Sequence, residues 1–312
     1  MWQQYLKNKK ILITGITGFV GSHLASKLTE LGADVYGLSR KKSQTKNIYC
    51  IDILDYSKLK SIFTSLDIDI CFHLAGESLV EIGQTHPYET FKINIEGTLN
   101  ILEICRIQKI EKIIVASTAH VYGRNSLPYY EGYAPQPSRP YETSKTCTDL
   151  IAQSYAKTFN LPVLIPRFVN IYGPGDMNFS RLMPKTIKTV LLNKSPSMWG
   201  NGNILRDYLY IDDAIKAYLK LLTVNFEKID NNRIFNFGSD NRISVRKLIE
   251  KIIFLSQEKM TVIKVPEQRA EEIASLYVSW NKARKVLQWK PVVDLHAGLR
   301  KTIAWYKKFF IK

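Results

Sequence analysis

The opening stretch, MWQQYLKNKKILITG, lacks the long apolar run of a membrane span or secretory signal; its lysines lead into a short apolar segment and then a glycine turn. A cytoplasmic protein with no membrane partner is expected. Cysteine is scarce: the four residues Cys50, Cys71, Cys105 and Cys147 lie far apart with no C-x-x-C pair. That spacing argues against a disulfide framework or a metal site and for reduced, structural thiols. Acidic residues are in deficit, 28 against 44 basic ones, giving a net charge of +16. The basic residues are scattered, however, with RKKSQTK the only real cluster in the N-terminal half, so nucleic acid is not the expected partner. The charge fits either a lysine-rich surface or attraction of an anionic ligand. There is no internal repeat and no low-complexity tract.

What is present is the 45% hydrophobic, 23% charged composition of a globular chain, 312 residues long and sufficient for one large α/β unit or two coupled domains. KKILITG predicts a strand, VGSHLASKLTELG a helix ending at Gly32, and ADVYGLS the next strand. Apolar runs recur at DICFHLAG, KIIVAST and LPVLIPRF, the latter two preceded by the helical patterns ETFKINIEGTLNILEICRIQ and YETSKTCTDLIAQSYAKTFN. This alternation implies a Rossmann-type, doubly wound parallel sheet over residues 1–165. The rhythm breaks after about residue 166, where turn-rich stretches predict a smaller α/β lid, mainly 166–312. Parts of 205–238 are expected to complete the larger unit, with RIFNFGS returning to its sheet.

ITGITGFVGSHL sets Gly15, Gly18 and Gly21 directly after a strand and at the opening of a helix. Small residues there let the backbone approach a pyrophosphate, whose charge meets the N–H groups and dipole of the helix start. A carboxylate at the end of the second strand would bind the ribose of NAD, whereas a basic residue accommodates the extra phosphate of NADP. This strand ends at Ser39, followed by Arg40, Lys41 and Lys42, so NADP(H) is favoured over NAD(H), the alternative being solvated surface charge. Asp52 is then a candidate for the adenine edge. In RPYETSKTC, Tyr141 and Lys145 lie four apart, on one helix face. A neighbouring ammonium favours phenolate, which suits a general base for a carbohydrate hydroxyl, although this spacing alone is common on exposed helices.

Taken together, TGITGFVG, HLAG, ASTAHVYG, YETSK, RFVNIYGPG and RDYLYIDD, in this order, resemble the extended short-chain dehydrogenases/reductases, specifically their nucleotide-sugar epimerase/dehydratase group. The resemblance covers nearly the whole chain. It implies that Thr118 hydrogen-bonds the sugar oxygen undergoing redox change, that Tyr141 exchanges its proton, and that Lys145 lowers the tyrosine pKa and holds the nicotinamide ribose. It implies cofactor contacts from Thr17, Phe19, Val20, Ile53, Leu74, Ala75, Gly76 and Arg167 besides the glycines, Ser39, Arg40, Asp52, Tyr141 and Lys145. Asn170, Arg206 and Arg269 would contact a nucleotide diphosphate and Glu272 its ribose. A homodimer formed through the helices before KIIVAST and after Tyr141 is a further implication.

The 4,6-dehydratases of this group follow the hydroxyl residue with an acid pair, whereas here Ala119 and His120 stand there. Ala119 cannot do acid chemistry, which disfavours a conventional dehydratase. His120 either packs beside the sugar or acts as a second acid/base, since imidazole titrates near neutrality. The expected activity is therefore a 4-epimerase or 4-ketoreductase working through a 4-keto sugar. The alternatives are a C5-epimerase or atypical dehydratase using His120, and a non-catalytic NADP-binding protein.

Overall fold

Alternate residues of the short central runs are apolar on both sides, so each strand must be covered twice. In the computed structural model, which describes residues 2–229, 232–266 and 273–311, Ile11 and Ile13 enter one hydrophobic core and Leu12 the other. Ile70 and Phe72 are likewise divided from Cys71, and Ile114 from Ile113 and Val115. These strands form an all-parallel sheet in the order Ile234–Phe237, Val163–Phe168, Lys112–Val115, Ile70–His73, Lys10–Thr14, Asp34–Ser39, Ile48–Cys50. The helices Phe19–Glu30 and Ile211–Leu222 pack together on one face. Tyr56–Leu66, Gly97–Ile107 and Pro140–Thr158 cover the other.

The chain leaves this sheet at Val169. Asn170–Tyr172 pairs instead with Leu205–Tyr210, which also binds Arg242–Ser244 and Ser275–Leu276 in a small second sheet. The strand expected from LPVLIPRF runs over Val163–Phe168, and Leu205–Tyr210 belongs to the small sheet. From 205–238, the helix Ile211–Leu222 and the strand Ile234–Phe237 return to the large unit, the latter beside Val163–Phe168. The sequence order of the large sheet reverses between Lys10–Thr14 and Ile70–His73, which opens a crevice at their carboxyl ends.

Candidate active site

At that crevice Gly15 takes a left-handed backbone (φ +72°), and a Cβ there would lie 3.0 Å from the Ala75 backbone. A Cβ on Gly21 would come within 2.3 Å of the Gly15 carbonyl, so the turn and the helix start are in direct contact. No side chain caps this helix at Gly18, which leaves its first N–H groups directed at the crevice. This arrangement fits the pyrophosphate of a dinucleotide. The Thr17 hydroxyl lies 3.2 Å from that of Ser39, which also accepts the Lys41 N–H. Arg40 and Asp52 are exposed, Asp52 capping its own turn by accepting the Leu54 N–H, and Ile53 is buried against Gly97.

Below the turn, Thr14 Oγ1 accepts the N–H groups of Leu74 and Ala75 at 3.1 and 3.0 Å and so donates its own hydrogen to His73 Nδ1 at 2.8 Å. The other ring nitrogen of His73 lies 3.0 Å from Thr98 Oγ1. Burial holds His73 at a pKa of about 3, with the Lys145 charge adding to the effect, and the imidazole is neutral.

Phe19, Val20 and Leu74–Gly76 line one end of a cavity of about 410 Å³, which continues past Ala116, Thr118, His120, Arg139, Tyr141 and Lys145 to Asn170 and Arg206. Eleven sequence-identified residues therefore share one cavity. Ser117 donates to buried Asp149 at 2.6 Å. Arg167, expected at the cofactor, is instead buried outside the cavity: it forks onto Asp149 at 2.8 Å and lies over the Tyr122 ring. The buried carboxylate of Asp149 takes Nε and Nη2 of this buried guanidinium, which holds the group away from the cavity. Arg269 and Glu272 lie outside the described residues.

The phenol of Tyr141 also differs from expectation. Burial raises its pKa to about 12, outweighing Arg181 and the Thr118 hydroxyl, which pull the other way. Lys145 does not offset this: its amine donates to the Ala116 carbonyl at 2.7 Å and is itself lowered by burial to about 8. Burial thus favours the phenol of Tyr141 over the phenolate.

Three neighbours were not singled out from the sequence. Arg139, at the start of the Tyr141 helix, forks onto Glu142 Oε1 at 2.9 and 2.6 Å, and both side chains are buried. Glu142 Oε1 in turn lies 3.5 Å from His120 Nδ1. An arginine three residues before a glutamate at a helix start was the available signal. Asn94, inside the π-helical turn Lys92–Glu96, holds the Glu77 backbone through both side-chain atoms and donates to Ser144 at 2.8 Å.

A glycine turn at the switch point of a parallel sheet, faced by a Tyr-x-x-x-Lys helix, places the chain among the short-chain dehydrogenases/reductases. Within them it belongs to the NAD dependent epimerase/dehydratase family, whose model matches residues 11–238. It is 32% identical to a putative UDP-glucose 4-epimerase of Methanocaldococcus jannaschii over 95% of this chain and 98% of that one. It is 30% identical to the mouse dTDP-D-glucose 4,6-dehydratase over 97% and 90%. The crystal structure of a Thermotoga maritima UDP-glucose 4-epimerase with UDP-glucose superposes with a TM-score of 0.89 at 28% identity, covering 96% and 99%.

Proposed function

We propose that the protein converts a nucleotide-diphosphate sugar through a 4-keto sugar, as a 4-epimerase or a 4-ketoreductase. The observation that carries this is the single cavity shared by Thr118, Tyr141 and Lys145, the crevice residues Leu74–Gly76, and Asn170 and Arg206. The relatives just described, which are named for 4-epimerisation and 4,6-dehydration, support the same substrate class. When bound, the nicotinamide cofactor supplies hydride exchange with the sugar carbon. The residues of the chain do the rest: Thr118 orients the sugar oxygen, and Tyr141 exchanges a proton with it, taking the proton when a hydroxyl becomes a ketone and returning it when the ketone is reduced. Lys145 holds its charge close by, and Arg206 forks onto a phosphate beside Asn170. Arg269 and Glu272 are assigned to the diphosphate and the ribose by resemblance.

NADP(H) is the favoured cofactor because the second strand ends in Ser39 and Arg40 with no carboxylate at that place. Titrating both dinucleotides into wild type and Arg40→Ala tests this. Tighter NADP(H) binding that is lost in the variant is expected, and equal binding of both cofactors by both proteins contradicts it. Stoichiometric consumption of NADPH with a 4-keto nucleotide sugar identifies a reductase, whereas turnover with cofactor retained identifies an epimerase.

A further inference from the structure

Just past the strand Lys112–Val115, three consecutive residues meet three residues of the helix Pro140–Thr158. The Ala116 carbonyl accepts from Lys145 at 2.7 Å, the Ser117 hydroxyl donates to Asp149 Oδ2 at 2.6 Å, and the Thr118 hydroxyl acts on the Tyr141 phenol. Tyr141, Lys145 and Asp149 follow one another at intervals of four and so share a face of that helix. The sheet adds a second coincidence: Ser117 pairs in register with Arg167, and both bind the same carboxylate. Gln153 Nε2 completes the set by donating to Asp149 Oδ1 at 2.7 Å. The carboxylate is fully buried and ties the catalytic helix to two neighbouring strands at one level.

From this geometry we infer that Asp149 is a positioning residue for the reaction: by holding Ser117 and Arg167 together it fixes the strand end that presents the Thr118 hydroxyl and the Ala116 carbonyl, and with them the place of the Lys145 amine. This rests on the roles given above to Thr118, Tyr141 and Lys145 and deepens them. Asp149 itself lies outside the cavity, its two oxygens taken by four donor groups, and no substrate bond is made or broken there. Its effect reaches the chemistry through the residues on either side of Ser117. A small shift of that anchor displaces both the hydroxyl that orients the sugar oxygen and the carbonyl that holds the ammonium.

The carboxylate also acts on Lys145 through space. Burial lowers the lysine pKa to about 8, and the Asp149 charge opposes that fall. The other groups on the packed elements do not take its place. From the sheet, His73 feels the Lys145 charge but is a neutral imidazole, and Arg167 meets Asp149 itself. Tyr141, on the same helix, is favoured as the phenol. His120, in the turn after Thr118, lies beside Glu142, while Glu103 and Arg106 on Gly97–Ile107 pair with each other. Removing the Asp149 charge therefore lowers the Lys145 pKa further, and the Arg167 charge left unpaired acts in the same direction.

The test uses the cofactor-loaded full chain with a panel of UDP-, GDP-, CDP- and dTDP-sugars, following the sugar that wild type converts fastest by nicotinamide absorbance and NMR of the product. Ser117→Ala cuts the strand end loose and keeps the Asp149–Arg167 pair. It should lower kcat roughly 10- to 100-fold with KM unchanged, since the loss falls on alignment rather than on binding. In Asp149→Asn the basic limb of the kcat profile should move to lower pH, whereas in Ser117→Ala it should stay in place; a merely structural role would move neither kcat nor the limb. Wild-type kcat in Ser117→Ala, or an unmoved limb in a folded Asp149→Asn, overturns the positioning role and leaves the 4-keto reading standing. Should Asp149→Asn fail to fold, kcat of Ser117→Ala decides alone. Conversion of no sugar by wild type overturns both.

Discussion

Thr14 shows how one hydroxyl can organise the end of a strand. It takes the N–H groups of Leu74 and Ala75, where the chain turns along the crevice, and gives its hydrogen to a histidine held neutral by burial. Replacing Thr14 by Val keeps the shape and removes the acceptor. The expected result is a loss of about 1–3 kcal/mol in stability, measured by urea unfolding, with weaker dinucleotide binding, because two backbone donors lose their partner. The residue types at the site were legible from local motifs: Thr118, Tyr141 and Lys145 belong to two such motifs and meet in one cavity. Their electrostatics were not. Whether Lys145 acts on Tyr141 or bonds a carbonyl depends on where the strand end at Ala116 stops, and the burial that raises the phenol comes from parts of the chain far away in sequence. Arg167 shows the same limit: arginine beside a cofactor strand reads as a ligand until Asp149, eighteen residues earlier, is seen to claim it.

At the scale of elements, the start of the Tyr141 helix is held by the buried Arg139–Glu142 pair. Burial opposes ionisation of Glu142, but His120 and Arg139 outweigh it and hold its pKa at about 2. The folded value lies below the ordinary carboxylate value, so this stabilisation is complete above about pH 4.5 and disappears as pH falls toward 2. Thermal unfolding across that range should show Tm falling with acidification, and less steeply in Glu142→Gln; parallel curves would contradict the assignment. The π-helical turn is a second device of this kind. Asn94 joins the helix before KIIVAST to the loop at Glu77 and to Ser144. Asn94→Ala strands the Glu77 N–H and should cost about 1–3 kcal/mol, seen in denaturant unfolding, together with a faster amide exchange at residues 76–79. The strands and long helices were readable because their apolar periods are strong. The extra residue of the π turn was not, since a helical pattern does not say which hydrogen bonds slip.

For the whole molecule, the helices Gly97–Ile107 and Pro140–Thr158 cover one face of the sheet yet leave Leu99, Ile107 and Leu150 exposed, with Phe159 just beyond. Apolar side chains on two adjacent helices fit the homodimer that the family resemblance implies, through a four-helix pairing. Light scattering should give a dimer for wild type and a monomer for Leu99→Glu/Leu150→Glu; a monomeric wild type would contradict it. Among the described residues no helix is long and apolar enough to cross a membrane. The large sheet and its switch point were legible because strand and helix alternate regularly to residue 168. The lid was not, because its short strands pair across distances no local pattern encodes. The central claim is that the cavity performs redox chemistry on a nucleotide sugar with Tyr141 moving the proton. The direct measurement is turnover of a UDP-, GDP-, CDP- and dTDP-sugar panel by wild type and Tyr141→Phe, followed by mass spectrometry and nicotinamide absorbance. At least one sugar should be converted, with the rate falling about 100-fold or more in the variant. Undiminished turnover by Tyr141→Phe of every sugar active on wild type would contradict it.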